Sequence, residues 1–148
     1  MRICLLSYRG NPYSGGQGIY LHQLTRALAA LGHQLDVVVG PPYPRDLSRW
    51  ATVHRLPNLN LWGKYRGEWL PHPGPLRLLS PLNLLEFMGT RLRFFPEPLA
   101  FSLRALGWLA GAVQSRGFDL LHDVQSLGYG NLAMRTFGLP MVTTVHHP

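Results

Sequence analysis

The chain predicts an α/β fold, a Rossmann-like open parallel sheet with flanking helices, and three observations carry that expectation. Two short apolar runs, residues 3–7 and 35–39, each end in turn residues, as buried strands do. Between them Leu21, Leu24, Leu28 and Leu31 recur at helical spacing, and Gly32 stands where a helix would stop. The same grammar returns late in the chain, with residues 118–122 as strand, 127–137 as helix, Gly138-Leu139-Pro140 as turn and 141–145 as strand. A strand, helix, strand crossover joins parallel strands with a right-handed turn, so two such units build one sheet with helices packed on it.

The remaining elements follow in order. Residues 52–56 add a strand and 99–115 a largely buried helix. Ten of the thirteen prolines lie between Pro41 and Pro98, which makes the middle irregular and its helices short. That middle lacks the periodicity for a core of its own and reads as an elaborate insertion of the same domain. A chain of 148 residues with 46% apolar content buries one core, and a charged fraction of only 14% argues against disorder. The single cysteine, Cys4, sits in an apolar run as a small core residue, and no disulfide can form within the chain, which suits a cytoplasmic location. The first apolar stretch is too short for a signal-peptide core. Residues 99–113, interrupted by Ser102 and Arg104, fall short of the roughly 18 apolar residues that suggest a membrane span.

Net charge is +7, and its location matters more than its size: residues 45–116 hold ten basic against four acidic side chains, together with all four tryptophans. A basic, aromatic surface points to an anionic lipid surface, nucleic acid or a phosphorylated substrate, with a solvated arginine-rich face as the plain alternative. Arg77, Arg91, Arg93 and Arg104, lying among Leu, Phe and Trp, are where an anionic membrane surface would be met.

Three segments could carry chemistry. Ser14-Gly15-Gly16-Gln17-Gly18 lies between the first strand and the first helix, where glycines admit a close ligand and helix amides favour an anion such as pyrophosphate. The alternative is that these glycines only shape a tight loop. Gly16-Gln17-Gly18 imitates a dinucleotide fingerprint, but Leu21 occupies the third glycine position and Val39 is followed by Gly40-Pro41 instead of a ribose-binding acid. No P-loop or Gly-x-Ser-x-Gly elbow occurs. In the second segment, Thr143-Thr144-Val145-His146-His147-Pro148, a strand delivers two histidines to the carboxyl edge where α/β sheets bind ligands. Adjacent strand residues point to opposite faces, so His146 and His147 do not ligate one metal together, and which of them faces the cleft stays open. The third, His122-Asp123-Val124-Gln125-Ser126, could hold sugar hydroxyls, or Asp123 or Ser126 could cap the following helix. His33, His54 and His72 show no ligand spacing.

With these residues in view, the chain resembles family 4 of the retaining glycosyltransferases, a group with the two-domain GT-B fold. The resemblance runs nearly end to end. It rests on Ser14-Gly15-Gly16 and the helix ending Ala29-Ala30-Leu31-Gly32-His33, then Leu35-Asp36-Val37-Val38-Val39, Phe118-Asp119-Leu120-Leu121-His122 and Leu139-Pro140-Met141-Val142-Thr143-Thr144-Val145-His146. It implies a sugar transferase whose donor is a UDP- or GDP-linked nucleotide sugar, whose acceptor is a sugar or lipid-linked molecule, and which uses no cofactor, no metal and no nucleic acid. It implies that Gly15 and Gly16 approach the donor phosphates, that His146 contacts the transferred sugar as the catalytic residue, and that Gln17, Gly18, Asp123, Gln125, Ser126 and His147 border the cleft. The family's second domain supplies a basic residue and two glutamates eight positions apart, whereas Glu68, Glu86 and Glu97 here are spaced eighteen and eleven. Residues 1–148 are therefore expected to be an incomplete N-terminal, acceptor-side domain, inactive alone, with the donor-binding domain absent. The alternative is a stand-alone membrane-surface or nucleotide-binding module without catalysis.

Overall fold

The computed structural model of the chain describes residues 1–61, 75–126 and 128–146. Five parallel strands, β1 (Arg2–Ser7), β2 (Gln34–Val39), β3 (Thr52–Arg55), β4 (Leu120–Val124) and β5 (Met141–Thr144), lie in the order β3-β2-β1-β4-β5. Around them run the helices α1 (Gly16–Ala30), α2 (Pro81–Arg91), α3 (Glu97–Arg116) and the short α4 (Gly130–Met134). The expected α/β class and open parallel sheet are what the chain forms.

The side-chain alternation of β1 and β2 divides the core between the two sheet faces. Ile3, Leu5, Leu35, Val37 and Val39 meet Leu21 of α1, with Leu24 and Leu28 packed at the margin. Cys4, Leu6, Val38 and Leu121 meet Phe101, Ala105, Leu109 and Ala112 of α3. Most of these side chains are fully buried, and each such Leu, Val or Phe contributes about 1.5–3 kcal/mol by leaving water. Of the four leucines that marked α1, Leu31 is the exception. It lies after the helix end and is 72% exposed. Gly32, at φ 82°, closes the helix there, its N–H donating to Ala29 O while His33 N–H reaches Leu28 O.

Two elements depart most from expectation. The fourth strand begins at Leu120 and not at Phe118, because Phe118 drops into the α3-side core and Asp119 ties the strand entrance to β1. The Asp119 N–H donates to Arg2 O at 2.8 Å, and its carboxylate accepts the Arg2 N–H at 2.6 Å. His122 is thus inside the strand and Gln125 follows its end. The helix expected over 127–137 is only Gly130–Met134, continued by a 3-10 turn at Arg135–Phe137. A Cβ at Gly128 or Gly130 would stand 2.1 or 2.4 Å from atoms of Ser102, so this segment is pressed onto α3 and cannot start earlier as a regular helix.

In the proline-rich middle, Pro81 opens α2 at the position where a missing N–H costs nothing. Its Glu86 is buried and accepts from Arg104 Nη1 at 2.5 Å and from the Leu59 N–H at 2.9 Å. Arg104 also donates to Asn83 Oδ1 at 2.6 Å, so α2 is bracketed to α3. Arg104 is therefore no free surface cation. Trp50 and Trp108 are half-buried and ring-packed against His22 and His54, and the other two tryptophans, Trp62 and Trp69, lie outside the described residues.

Candidate functional site

The carboxyl ends of β1, β4 and β5 open into a cleft of about 730 Å³ at the start of α1. The chain leaves β1 through Tyr8 and Arg9, and the Ser7 hydroxyl donates to Arg9 O at 2.7 Å to shape the bend. Asn11 then caps a 3-10 turn, Pro12–Ser14, its Oδ1 accepting the Tyr13 N–H at 2.8 Å. Gly15 follows at φ 132°, ψ 175°, a backbone region essentially reserved for glycine, and α1 begins at the next residue. A Cβ on Gly16 would meet nothing within 4 Å, so the space in front of the helix N-terminus is open to the cleft. Gly18 serves the fold instead, since a Cβ there would lie 2.1 Å from Asn11 O and its absence lets the turn lie against the helix. With no acidic residue in its first turn, α1 presents its free amides and positive dipole end without an internal anion.

Gln17 and Gln125 join the three segments that form the cleft floor. Gln17 Nε2 donates to Val124 O, the last carbonyl of β4, at 2.6 Å. Gln125 stands at φ 52°, unusual for a residue with a side chain, and its Oε1 accepts the His146 N–H at 3.2 Å. The His146 ring lies edge-on to Tyr20 with centroids 4.6 Å apart. Its Nε2 is buried and has no hydrogen-bond partner among the described residues. Beneath, the Thr144 hydroxyl sits 3.2 Å from Tyr20 OH and 2.8 Å from His122 Nε2. Burial holds the His122 imidazole below its ordinary pKa, against the opposing charge of Asp123.

Of the residues expected here, Gly15, Gly16, Gln17, Gly18, Gln125, Ser126 and His146 line this one cleft. Asp123 lies behind the lining, fully buried. Its carboxylate accepts from the Ser126 hydroxyl, from the Ser126 N–H at 3.1 Å and from Asn131 Nδ2 at 2.9 Å, so it shapes the turn that carries Gln125 and Ser126. His147 lies outside the described residues. His54, which has no ligand spacing, is part of the fold: its Nε2 is 2.7 Å from Asp36 Oδ1.

Sequence reasoning missed the other half of the cleft. Tyr8 and Arg9 come from the end of β1, Phe94, Phe95, Pro98 and Leu99 from the entrance to α3, and Tyr129 from the turn before α4. The rule that ligands meet the carboxyl ends of strands pointed at Tyr8 and Arg9 as much as at His146. No comparable signal marked Phe94 and Phe95. Arg9 donates from Nε and Nη2 to Glu97 Oε2 at 3.0 and 2.8 Å, and it is the one permanently charged side chain among the described residues lining the cleft.

A parallel sheet with flanking helices and a glycine-opened helix N-terminus at the strand ends is the Rossmann-like arrangement found in GT-B glycosyltransferases. Solved structures bear out that fold. Sucrose-phosphate synthase from Thermosynechococcus elongatus superposes with a TM-score of 0.56 at 21% identity, over 99% of this chain and 33% of that one. The glycosyltransferase VinC in complex with dTDP gives 0.57 at 16% identity, over 97% and 34%. The chain belongs to glycosyltransferase family 4, whose profile matches residues 14–148. It is 44% identical to the MMP α-(1→4)-mannosyltransferase of Mycolicibacterium hassiacum over its full length, and spans 35% of the length of that relative.

Proposed function

We propose that this cleft is the acceptor side and part of the donor-phosphate site of a retaining transferase, which moves a sugar from a UDP- or GDP-linked donor to a sugar or lipid-linked acceptor. The observation that carries the reading is the meeting of Gly15 and Gly16 with His146, 130 positions away, around one cavity. The 44% identical mannosyltransferase supports mannose as the transferred sugar. The amides at the start of α1 receive the phosphate charge that grows as the nucleotide leaves, stabilising it with fixed dipoles in a partly dry site. Arg9 adds little to it, being neutralised by Glu97. His146, a residue of the cleft lining, contacts the sugar, and the acceptor attacks on the face the nucleotide leaves. This reading needs no metal and puts the activity in the cytoplasm.

A donor-binding domain outside these residues completes the site, so the 148-residue chain is inactive alone. The test is a transfer assay with radiolabelled GDP- and UDP-sugars, on this chain and on the same chain joined to a donor-binding domain of its relatives. Turnover by the joined protein alone is the expected result. Turnover by the short chain, or hydride transfer with a nicotinamide cofactor, would overturn the reading.

A second partner, an anionic membrane surface, is favoured by one specific observation. The outer face of α2 and its flanks exposes Leu76, Leu79, Leu84, Met88, Leu92 and Phe94 beside the exposed Arg77, Arg91 and Arg93, while the one acidic residue of that helix, Glu86, is buried. Among the described residues no helix is long and apolar enough to cross a membrane. Sedimentation with phosphatidylglycerol vesicles should show binding that weakens from low to high salt, and salt-independent binding would remove the electrostatic part of the idea.

A further inference from the structure

We infer that Arg9 and Glu97 set the charge specificity of the aromatic half of the cleft, so that the acceptor group seated there is an uncharged sugar or glycoside with an apolar face. The inference rests on the reading of the cleft as a sugar-transfer site and names the substrate class of its acceptor half.

The two halves of the cleft have opposite electrostatic characters. At the α1 end, free amides face open space with no acid in the first turn, which suits an anion. At the aromatic end the sole permanent cation among the described lining residues is already matched. Both contacts from Arg9 go to one oxygen of Glu97, at 3.0 and 2.8 Å, and the side chains are only 20% and 5% exposed. The guanidinium also lies 5.6 Å from the Tyr8 ring centroid and 5.5 Å from that of Phe95, which fixes its plane. A phosphate or carboxylate brought here would gain Arg9 but face the carboxylate of Glu97 beside it, a pair that is itself largely shielded from water. The gain and the repulsion nearly cancel, and the desolvation of the incoming charge remains as a net cost.

A neutral sugar meets no such cost. Among the described residues Arg9 makes no hydrogen bond from Nη1, so that edge can donate to hydroxyl oxygens. Phe94, Pro98, Leu99 and Tyr129 supply the apolar wall on which the C–H face of a pyranose, or an apolar substituent on it, can rest. Glu97 thus sets specificity by cancelling the charge of its partner, without touching the sugar.

The test uses two probes that differ only at C6, 4-nitrophenyl β-glucopyranoside and 4-nitrophenyl β-glucuronide, titrated against the chain by heteronuclear NMR. The neutral probe should bind on the order of tenfold tighter, and Glu97→Gln, which leaves Arg9 uncompensated, should shift the ratio toward the glucuronide by about as much. Arg9→Gln alone should widen the preference for the neutral probe, and the Arg9→Gln/Glu97→Gln pair, neutral again, should return the ratio to within about threefold of wild type. Should Glu97→Gln not fold, Arg9→Gln still decides the sign. Equal or tighter binding of the glucuronide to wild type, a ratio unmoved by either single change, or no binding of either probe would each overturn the inference. None of these results bears on whether the donor-domain-bearing protein transfers sugar, so the functional reading stands or falls separately.

Discussion

A methyl group placed on Gly18 would lie 2.1 Å from the carbonyl oxygen of Asn11, a backbone atom that cannot move aside, whereas one on Gly16 would meet nothing within 4 Å. The two glycines, both read from one motif, therefore separate in their consequences. Gly18→Ala should cost about 1–3 kcal/mol of stability by overpacking, seen as a lower urea midpoint. Gly16→Ala should change stability by only about 0.5 kcal/mol, as an unstrained surface change does. In the protein joined to a donor-binding domain its transfer rate with a nucleotide-sugar donor should nevertheless fall, because the new methyl fills the approach to the helix amides. Equal loss of stability in both variants would contradict this division. His146 is the second test at this scale. Replacing it by Ala in the chain joined to a donor-binding domain should lower kcat by about 10²-fold, the loss typical of one polar group acting in a transition state, with the melting temperature little changed. The sequence pointed to Gly15, Gly16 and the pair His146-His147 because strand ends and helix starts are legible from local pattern, and only the family resemblance singled out His146. It left His146 and His147 unresolved because the choice depends on where β5 ends and how Tyr20 packs, which are tertiary facts.

At the level of elements, the strands were legible and the late helix was not. Apolar runs bounded by glycine and proline mark β1 and β2 whatever surrounds them. The helix expected over 127–137 failed because glycines 128 and 130 answer to Ser102 on α3, a contact no local period announces. Asp36 shows a similar limit: no local pattern marks it within its apolar strand, yet it joins three strands and a helix. Its buried carboxylate accepts from Arg2 Nε at 3.1 Å and Arg116 Nη1 at 2.7 Å, with His54 Nε2 at 2.7 Å. Burial works against ionisation, but the hydrogen bonds from His54 and Arg2 and the charges of Arg116 and Arg2 outweigh it, leaving the pKa below its ordinary 3.8. A carboxylate depressed in the folded state stabilises fully above that ordinary value, and the contribution is lost as pH falls through the folded pKa. Wild-type stability should thus drop more steeply than that of Asp36→Asn below about pH 4, read from urea midpoints at pH 7, 4 and 3. Parallel curves for the two proteins would show that Asp36 is not the acid-sensitive link.

For the molecule as a whole, the question is whether the irregular middle belongs to the same cooperative unit as the sheet. It supplies Phe94, Phe95 and Pro98 to the cleft, residues that lie 86 or more positions from Tyr8 and had no signal of their own, since only the folded middle brings them there. The bracket of Glu86, Arg104, Asn83 and the Leu59 N–H holds that middle to α3, and α3 in turn covers one face of the sheet. The carboxylate of Glu86 is 2% exposed and the side chain of Arg104 12%, so removing one partner strands the other charge in a dry setting. Glu86→Ala should therefore destabilise by about 3–5 kcal/mol, the cost of breaking a buried pair from one side. If the middle has no core of its own, that loss should move a single transition to lower urea with its slope unchanged, monitored both by far-ultraviolet circular dichroism and by tryptophan fluorescence. Non-coincident transitions, with one probe unfolding early while the other holds near its wild-type midpoint, would mean instead that residues of the middle unfold as a separate unit and that the aromatic wall can be lost while the sheet and the His146 end of the cleft remain.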